Sequence, residues 1–220
     1  MTDPAVEKPH DEVAPAAPSP WGSPRDRERE REAKRDAVLT TAARFFNEKG
    51  FHATSLDDLA AALNVTKPTI YHYFSNKDEI LFECTRRGVD TIAEAARRGA
   101  EQGGSGAARL REMLIAYALV MTEDFGICVA RTPDHLLSPD SRRTLRSLKA
   151  DIDRHIRRVI REGVEDGSIR VRDARVAGFT AAQALNGIGS WFRPDGGQTA
   201  REVAELTVDT LICGLCPTEE

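Results

Sequence analysis

The chain predicts an all-α protein, with an N-terminal three-helix helix-turn-helix domain followed by a larger helical domain. Three observations carry that prediction. Residues 34–82 divide into short apolar-periodic segments separated by tight turns rich in Gly, Ser, Thr, Asn and Pro. Beyond Lys77 the apolar residues recur at helical spacing over much longer segments. The breaks between those segments carry helix-ending or helix-starting residues, Gly103-Gly104-Ser105-Gly106 and Ser138-Pro139-Asp140. The expected division is a disordered arm over residues 1–30, the helix-turn-helix domain over 31–77 and the larger domain over 78–216.

Prolines at 4, 9, 15, 18, 20 and 24 and much alanine leave the start of the arm little to bury. Residues 25–36 alternate in charge and read as a solvated extension of the first helix. In a second reading, the arginines between 25 and 35 reach a DNA minor groove. The first helix proper is expected over residues 31–48, with Val38, Leu39, Ala42, Ala43, Phe45 and Phe46 as its apolar stripe. Gly50 suits a left-handed cap, after which Phe51 folds back onto that stripe.

The second helix begins at Thr54 or Ser55, where Ser55-x-x-Asp58 has capping-box spacing. Leu56, Leu59, Ala60 and Leu63 face inward, and Asn64-Val65 makes the turn. Val65 is expected to be buried as a pin between helices. Thr66 caps a short third helix that tolerates Pro68 in its first turn. Ile70 and Phe74, four apart, point to the core, so Thr69, Tyr71, His72 and Tyr73 point outward. Ser75 and Asn76 cap a fourth helix that opens with Lys77.

A short helix presenting hydroxyls, rings and lysines suits double-stranded DNA. The expected DNA-contacting set is Thr54, Ser55, Thr66, Lys67 and Pro68, with Thr69, Tyr71, His72, Tyr73 and Lys77. Within it, Thr69, Tyr71 and His72 meet base edges, sugar or nearby phosphate, and Lys67 and Lys77 meet phosphate. The net charge of −4 does not oppose this. Residues 34–77 hold six Lys or Arg against four Asp or Glu, a local balance of +2.

The run Ala42-Ala43-x-Phe45-Phe46, then Gly50-Phe51-x-x-Thr54-Ser55-x-x-x-Leu59-Ala60, then Val65-x-Lys67-x-Thr69-x-Tyr71-x-Tyr73-Phe74-x-x-Lys77, resembles the DNA-binding domain of the tetracycline-repressor (TetR) family. The resemblance implies an all-helical homodimer whose C-terminal part binds a small molecule that releases an operator. His72 and the leading tail, long for this family, are the two departures.

In the larger domain, the fourth helix is expected to run to about residue 98, with Ile80, Leu81, Cys84, Gly88, Ile92 and Ala95 on one face. The glycines at 103–106 form a turn and no phosphate loop, since no Gly-Lys-Ser/Thr follows. A helix over residues 107–123 carries Leu110, Met113, Leu114, Tyr117 and Met121 on one side, a stripe that suits either core or a ligand cavity. A long helix over 138–163 turns Leu145, Leu148, Ile152 and Ile156 inward. Its outer face holds Arg142, Arg143, Arg146, Lys149, Arg154, Arg157, Arg158 and Arg161. That strip is first a solvated face, and second a clamp for an anionic ligand.

The last two helices are expected over 173–192 and 199–215. Small residues in the first, and Ala204, Val208, Leu211 and Leu215 in the second, suggest pairing with their symmetry mates in a homodimer. The link from Trp191 to Gly197 is similar to that in family members responding to acyl-coenzyme A compounds. The expected effector site is Met113, Tyr117, Met121, Phe125 and Trp191 for an acyl group, with Arg146 and Arg193 for phosphates. An acyl-coenzyme A thioester is the preferred effector, and an aromatic or other hydrophobic metabolite the alternative.

Hydrophobic content of 40% and charged content of 30% suit a soluble protein. No apolar run approaches the ~18 residues that would span a bilayer, no signal-peptide core is seen, and four cysteines form no disulfide framework. These features predict a cytoplasmic protein without membrane association. Cys213-x-x-Cys216 lacks a second pair or a nearby His, and the five histidines show no metal spacing. No nucleophile elbow or Walker loop appears, so neither an enzyme, a metal site nor a cofactor is expected.

Overall fold

The computed structural model describes residues 23–213. Residues up to Lys34 and residues from Arg35 onward form two units. The first unit's described part is the beginning of helix α1 (Pro24–Lys49). Ser23 and Asp26 start it with a capping box: Asp26 N–H donates to Ser23 Oγ at 3.1 Å, and Ser23 N–H to Asp26 Oδ2 at 3.2 Å. Pairs Arg31–Glu28 and Lys34–Glu30 brace its exposed surface. Residues 25–36 are helical, as the reading of an extended first helix expects, so the helix begins inside the stretch assigned to the arm. The rest of the proposed arm, residues 1–22, lies outside the described residues.

In the second unit, α2 (Leu56–Ala62) and α3 (Lys67–Tyr71) follow α1, and α4 (Lys77–Ala100) leads away. Local chemistry sets each boundary. Gly50, at φ 83°, ends α1 in the left-handed conformation that a side chain disfavours. Ser55 and Asp58 form the expected capping box of α2. Asn64, at φ 53°, turns the chain from α2 towards α3. Asn76 caps α4 by accepting from Glu79 N–H at 2.8 Å. Val38, Leu39, Ala42, Phe46, Leu59, Ile70 and Phe74 are buried together.

Helix α5 (Gly106–Val120) begins after Ser105, which accepts from Ala108 N–H. It stops at Val120, three residues short of the expected end, and the chain bends by 89° into α6 (Asp124–Arg131). The sequence pattern predicts no separate helix there. Gly126 permits the corner, since a Cβ at that position would sit 2.0 Å from Val120 O. After a short 3-10 turn over Asp134–Leu136 come α7 (Pro139–Glu165), α8 (Ala174–Trp191) and α9 (Ala200–Cys213).

Helix α5 is the centre of the larger domain, packed by α4, α7, α8 and α9. Its Leu110, Met113, Leu114 and Ala118, and Met121 just past its end, are all fully buried. Two expectations change here. Ala204 and Val208 of α9 are buried in the chain's own core, with α9 packed on α5, so they are not a free seam for a partner; Leu215 lies outside the described residues. The α7 arginines are also more neutralised than expected: Arg143, Arg146, Arg154, Arg157 and Arg158 pair with Asp140, Asp134, Asp151, Asp153 and Glu162. Among the described residues no single helix is long and apolar enough to cross a membrane.

Candidate DNA-reading surface and effector cavity

Helix α3 is held by Ile70 and Phe74, both buried four residues apart. That anchoring exposes Thr66, Pro68, Thr69, Tyr71 and His72 on its outer side, with Tyr71 half exposed. Thr66 sits at the cap position in extended backbone, yet its hydroxyl bonds to the Thr69 hydroxyl at 2.9 Å instead of capping a backbone N–H. Lys67 reaches back to Asp57 on α2 at 2.9 Å, which raises the ammonium's pKa. Tyr73 is partly buried against the core, with His72 edge-on to its ring at 5.1 Å. It therefore does not point fully outward.

Further expectations are corrected. Thr54 is buried, and its hydroxyl donates to Gly50 O at 2.9 Å, so the side chain is spent on the α1–α2 loop. Ser55 spends its hydroxyl on Asp58 N–H at 3.0 Å, and the bonding between the two residues holds the Asp58 carboxyl below the usual carboxylate range. Lys77 donates to the carbonyls of Phe51 and Thr54, each at 2.9 Å, and lies 4.3 Å from the centre of the Phe51 ring. The lysine fastens α4 to the α1–α2 loop, where the sequence alone suggested a phosphate contact. Val65 is 39% exposed instead of buried, because Leu59, Ile70 and Phe74 already fill the space between the helices. It adds an apolar group to the exposed side that the sequence pattern does not disclose.

The larger domain contains a cavity of about 480 Å³. Val89 and Ile92 of α4, Val129 of α6, Ile152 and Ile156 of α7 and Phe179 of α8 supply its apolar wall. Of the residues expected to line it, only Tyr117 does. Its phenol donates to Asn186 Oδ1 at 3.0 Å, and burial pushes its pKa up to about 12. That bond fixes the Asn186 amide beside Gln183, another polar lining residue from α8. Asp134, Lys149 and Asp153 form the charged part of the wall.

The remaining expected residues lie elsewhere. Met113 and Met121 are core, because helices cover α5 on its several sides. Phe125 lies under the Arg87 guanidinium, 4.7 Å from its ring centre. Arg146 is exposed and paired with Asp134 at 2.9 Å, so it meets the cavity only through that partner. Trp191 and Arg193 share a separate surface recess with Phe192 and Val203. Asn186 and Gln183 escape the sequence reading although a signal exists: they are the two amides of a helix otherwise rich in Ala and Gly. No cluster of His, Cys, Asp or Glu able to hold a metal occurs among the described residues. Cys216 lies outside them.

Comparison with known proteins agrees with this architecture. Residues 38–84 match the family described as bacterial regulatory proteins, tetR family, and residues 103–215 match the tetracyclin repressor-like C-terminal domain. The transcriptional repressor KstR2 of Rhodococcus jostii is 25% identical, over 83% of this chain and 91% of its own length. The TetR-family regulator PfmR of Thermus thermophilus is 34% identical, with a TM-score of 0.74 over 80% of this chain and 97% of that one. AibR, solved in complex with isovaleryl coenzyme A and operator DNA, is 27% identical, with a TM-score of 0.72 over 81% of this chain and 97% of its own. With both its DNA-reading and its C-terminal segments matched, the chain belongs to the TetR family of helix-turn-helix transcriptional regulators.

Proposed function

We propose that the protein is a ligand-responsive repressor that binds a pseudo-palindromic operator as a homodimer and leaves it when an effector fills the cavity. One observation carries the reading. Helix α4 lines the cavity with Val89 and Ile92, and its first residue, Lys77, is bonded to two carbonyls of the DNA-reading domain. A ligand that moves α4 therefore moves the reading helix. The equilibrium shifts by the ligand's differential affinity for the two arrangements. The domains assigned to these tasks are residues 31–77 for DNA and 78–216 for effector and dimer. Exposed Val176 and Trp191 on α8 and Leu206 on α9 support dimerisation through those helices.

The preferred effector is an acyl-coenzyme A thioester. The apolar wall suits an acyl chain, the Asn186 amide fixed by Tyr117 suits a carbonyl, and Lys149 at the charged side suits a phosphate. The similarity to AibR, solved with isovaleryl coenzyme A, supports this choice. A hydrophobic or aromatic metabolite is the second reading, favoured by Phe179 in the wall.

Footprinting on the DNA upstream of the protein's own gene should show two half-sites one helical turn apart, ~34–36 Å. Tyr71→Ala and Lys67→Ala should each lower operator affinity roughly tenfold or more, as loss of a base or phosphate contact does. Unchanged affinity in both, with the fold intact, would remove α3 as the reader. Calorimetry with isovaleryl coenzyme A and with isovalerate separates the effector classes, since equal binding of the free acid would exclude a phosphate role.

A further inference from the structure

We infer that Arg131 is a positioning residue that makes α6 a second mechanical link between the cavity and the DNA-reading domain, parallel to α4. Its guanidinium donates to Asn47 O in the last turn of α1 at 2.7 Å. It also donates to Gly189 O at 3.1 Å and Ser190 O at 3.3 Å, in the last turn of α8. Carbonyls in a helix's last turn lack intrahelical donors and sit at the negative end of its dipole. One forked cation therefore caps two helices at once, one in the reading domain and one carrying cavity residues Phe179, Gln183 and Asn186.

The other end of α6 is fastened to the same place. Asp124 accepts Arg44 Nε at 2.8 Å through its carboxylate and Asn47 Nδ2 at 2.8 Å through its main-chain carbonyl. Between these two anchors, Val129 and Ala130 form part of the cavity wall. The helix packs tightly on α4, where a Cβ on Gly88 would fall 2.3 Å from Phe125 O. Pressure on the wall is therefore transmitted along α6 to the end of α1. Asn47 Oδ1 is buried there without a partner. The joint is thus incompletely satisfied in this arrangement.

This inference rests on the reading of the cavity as the effector site, but its test needs no effector. Linkage is reciprocal, so DNA on the reading helix must alter the cavity wall. Amide exchange of the full chain would be followed by mass spectrometry, with and without an operator duplex selected from randomised sequence. In the wild type the duplex should slow exchange across α6 by about fivefold or more, the lower end of ordinary coupling. In Arg131→Met that response should shrink by more than half while the response of α4 persists. Arg131→Lys, which keeps the charge and loses the fork, should fall between. Asp124→Asn, which weakens the opposite anchor by removing the charge that holds Arg44, should shrink the same response in part and guards against a merely unfolded Arg131 variant.

An α6 response that is absent in the wild type, or intact in Arg131→Met, overturns the link. If no duplex is bound at all, the regulator reading fails instead. The duplex-free comparison then decides the inference. Arg131→Met must speed exchange in the last turns of both α1 and α8, and a change in only one, or in neither, overturns it.

Discussion

The DNA-reading domain and the larger domain are both helical, yet their shapes are determined at different ranges. In the first, each boundary is fixed within four residues: Gly50 by its backbone, Ser55 by Asp58, Asn76 by Glu79. In the second, decisive constraints act across the chain. Gly88 is small because α6 passes over it, Asp166 accepts from Gly106 N–H at 2.6 Å, and Arg109 pairs with Glu162 at 2.7 Å. Short-range rules let a sequence announce its structure, whereas long-range ones must be assembled first.

Substitutions at four positions probe that contrast. The largest effect is expected from Phe74→Ala, because the ring is almost fully buried and carries the Arg35 guanidinium at 4.9 Å from its centre. Urea unfolding should show a loss of about 3–5 kcal/mol. A loss under about 1 kcal/mol would mean that caps, and not the small core, hold the reading domain together. Next, Gly88→Ala should destabilise the larger domain by about 1–3 kcal/mol, since the added methyl meets backbone atoms that cannot rotate away. A neutral result would show that α6 is free to lift from α4, contrary to the long-range picture.

Ser55→Ala removes a cap and should cost about 1 kcal/mol, seen as a lower thermal midpoint. Ser55→Thr should restore most of it. Tyr117→Phe should cost a similar or smaller amount, about 0.5–1.5 kcal/mol, by leaving Asn186 Oδ1 without its donor. It carries its own pH signature. The phenol's folded pKa, about 12, lies above its ordinary value of 10.0. The stability tied to the neutral phenol is therefore complete below about pH 10 and is lost as pH rises towards 12. The wild-type thermal midpoint should fall across that window, and Tyr117→Phe should fall less. Identical alkaline profiles would mean that Tyr117 is not desolvated as its position implies.

The contrast also explains what the sequence disclosed. The order of the helices other than α6, the α2 capping box and the exposed Tyr71 and His72 followed from spacing. Lys77 misled because a lysine at a helix start has two good uses, a phosphate or a neighbouring carbonyl, and only the folded loop at Phe51 and Thr54 chooses between them. Met113 and Met121 misled for a related reason. A Met stripe shows that a face is covered but not whether atoms or a void cover it, and here α5 is surrounded. The cavity residues come from α4, α5, α6, α7 and α8 and from the link after α6, with at most four on any one helix, so no single segment's pattern could collect them. The corner at Val120 was silent because Gly126, which permits it, lies six residues further on and reads as an ordinary helical glycine.

The corner between α5 and α6 has a practical consequence for anyone retooling this protein as a biosensor. On the function proposed above, it packs a portion of the chemical receptor and a portion of the transmission into one eight-residue segment, Asp124–Arg131. Randomising that segment to change which compound is recognised would retune response amplitude and background in the same stroke. Phe179, Ala182 and Gln183 on α8 face the same compartment from a stretch of helix well before its Arg131-capped end. A library built there would vary taste while leaving the gain alone.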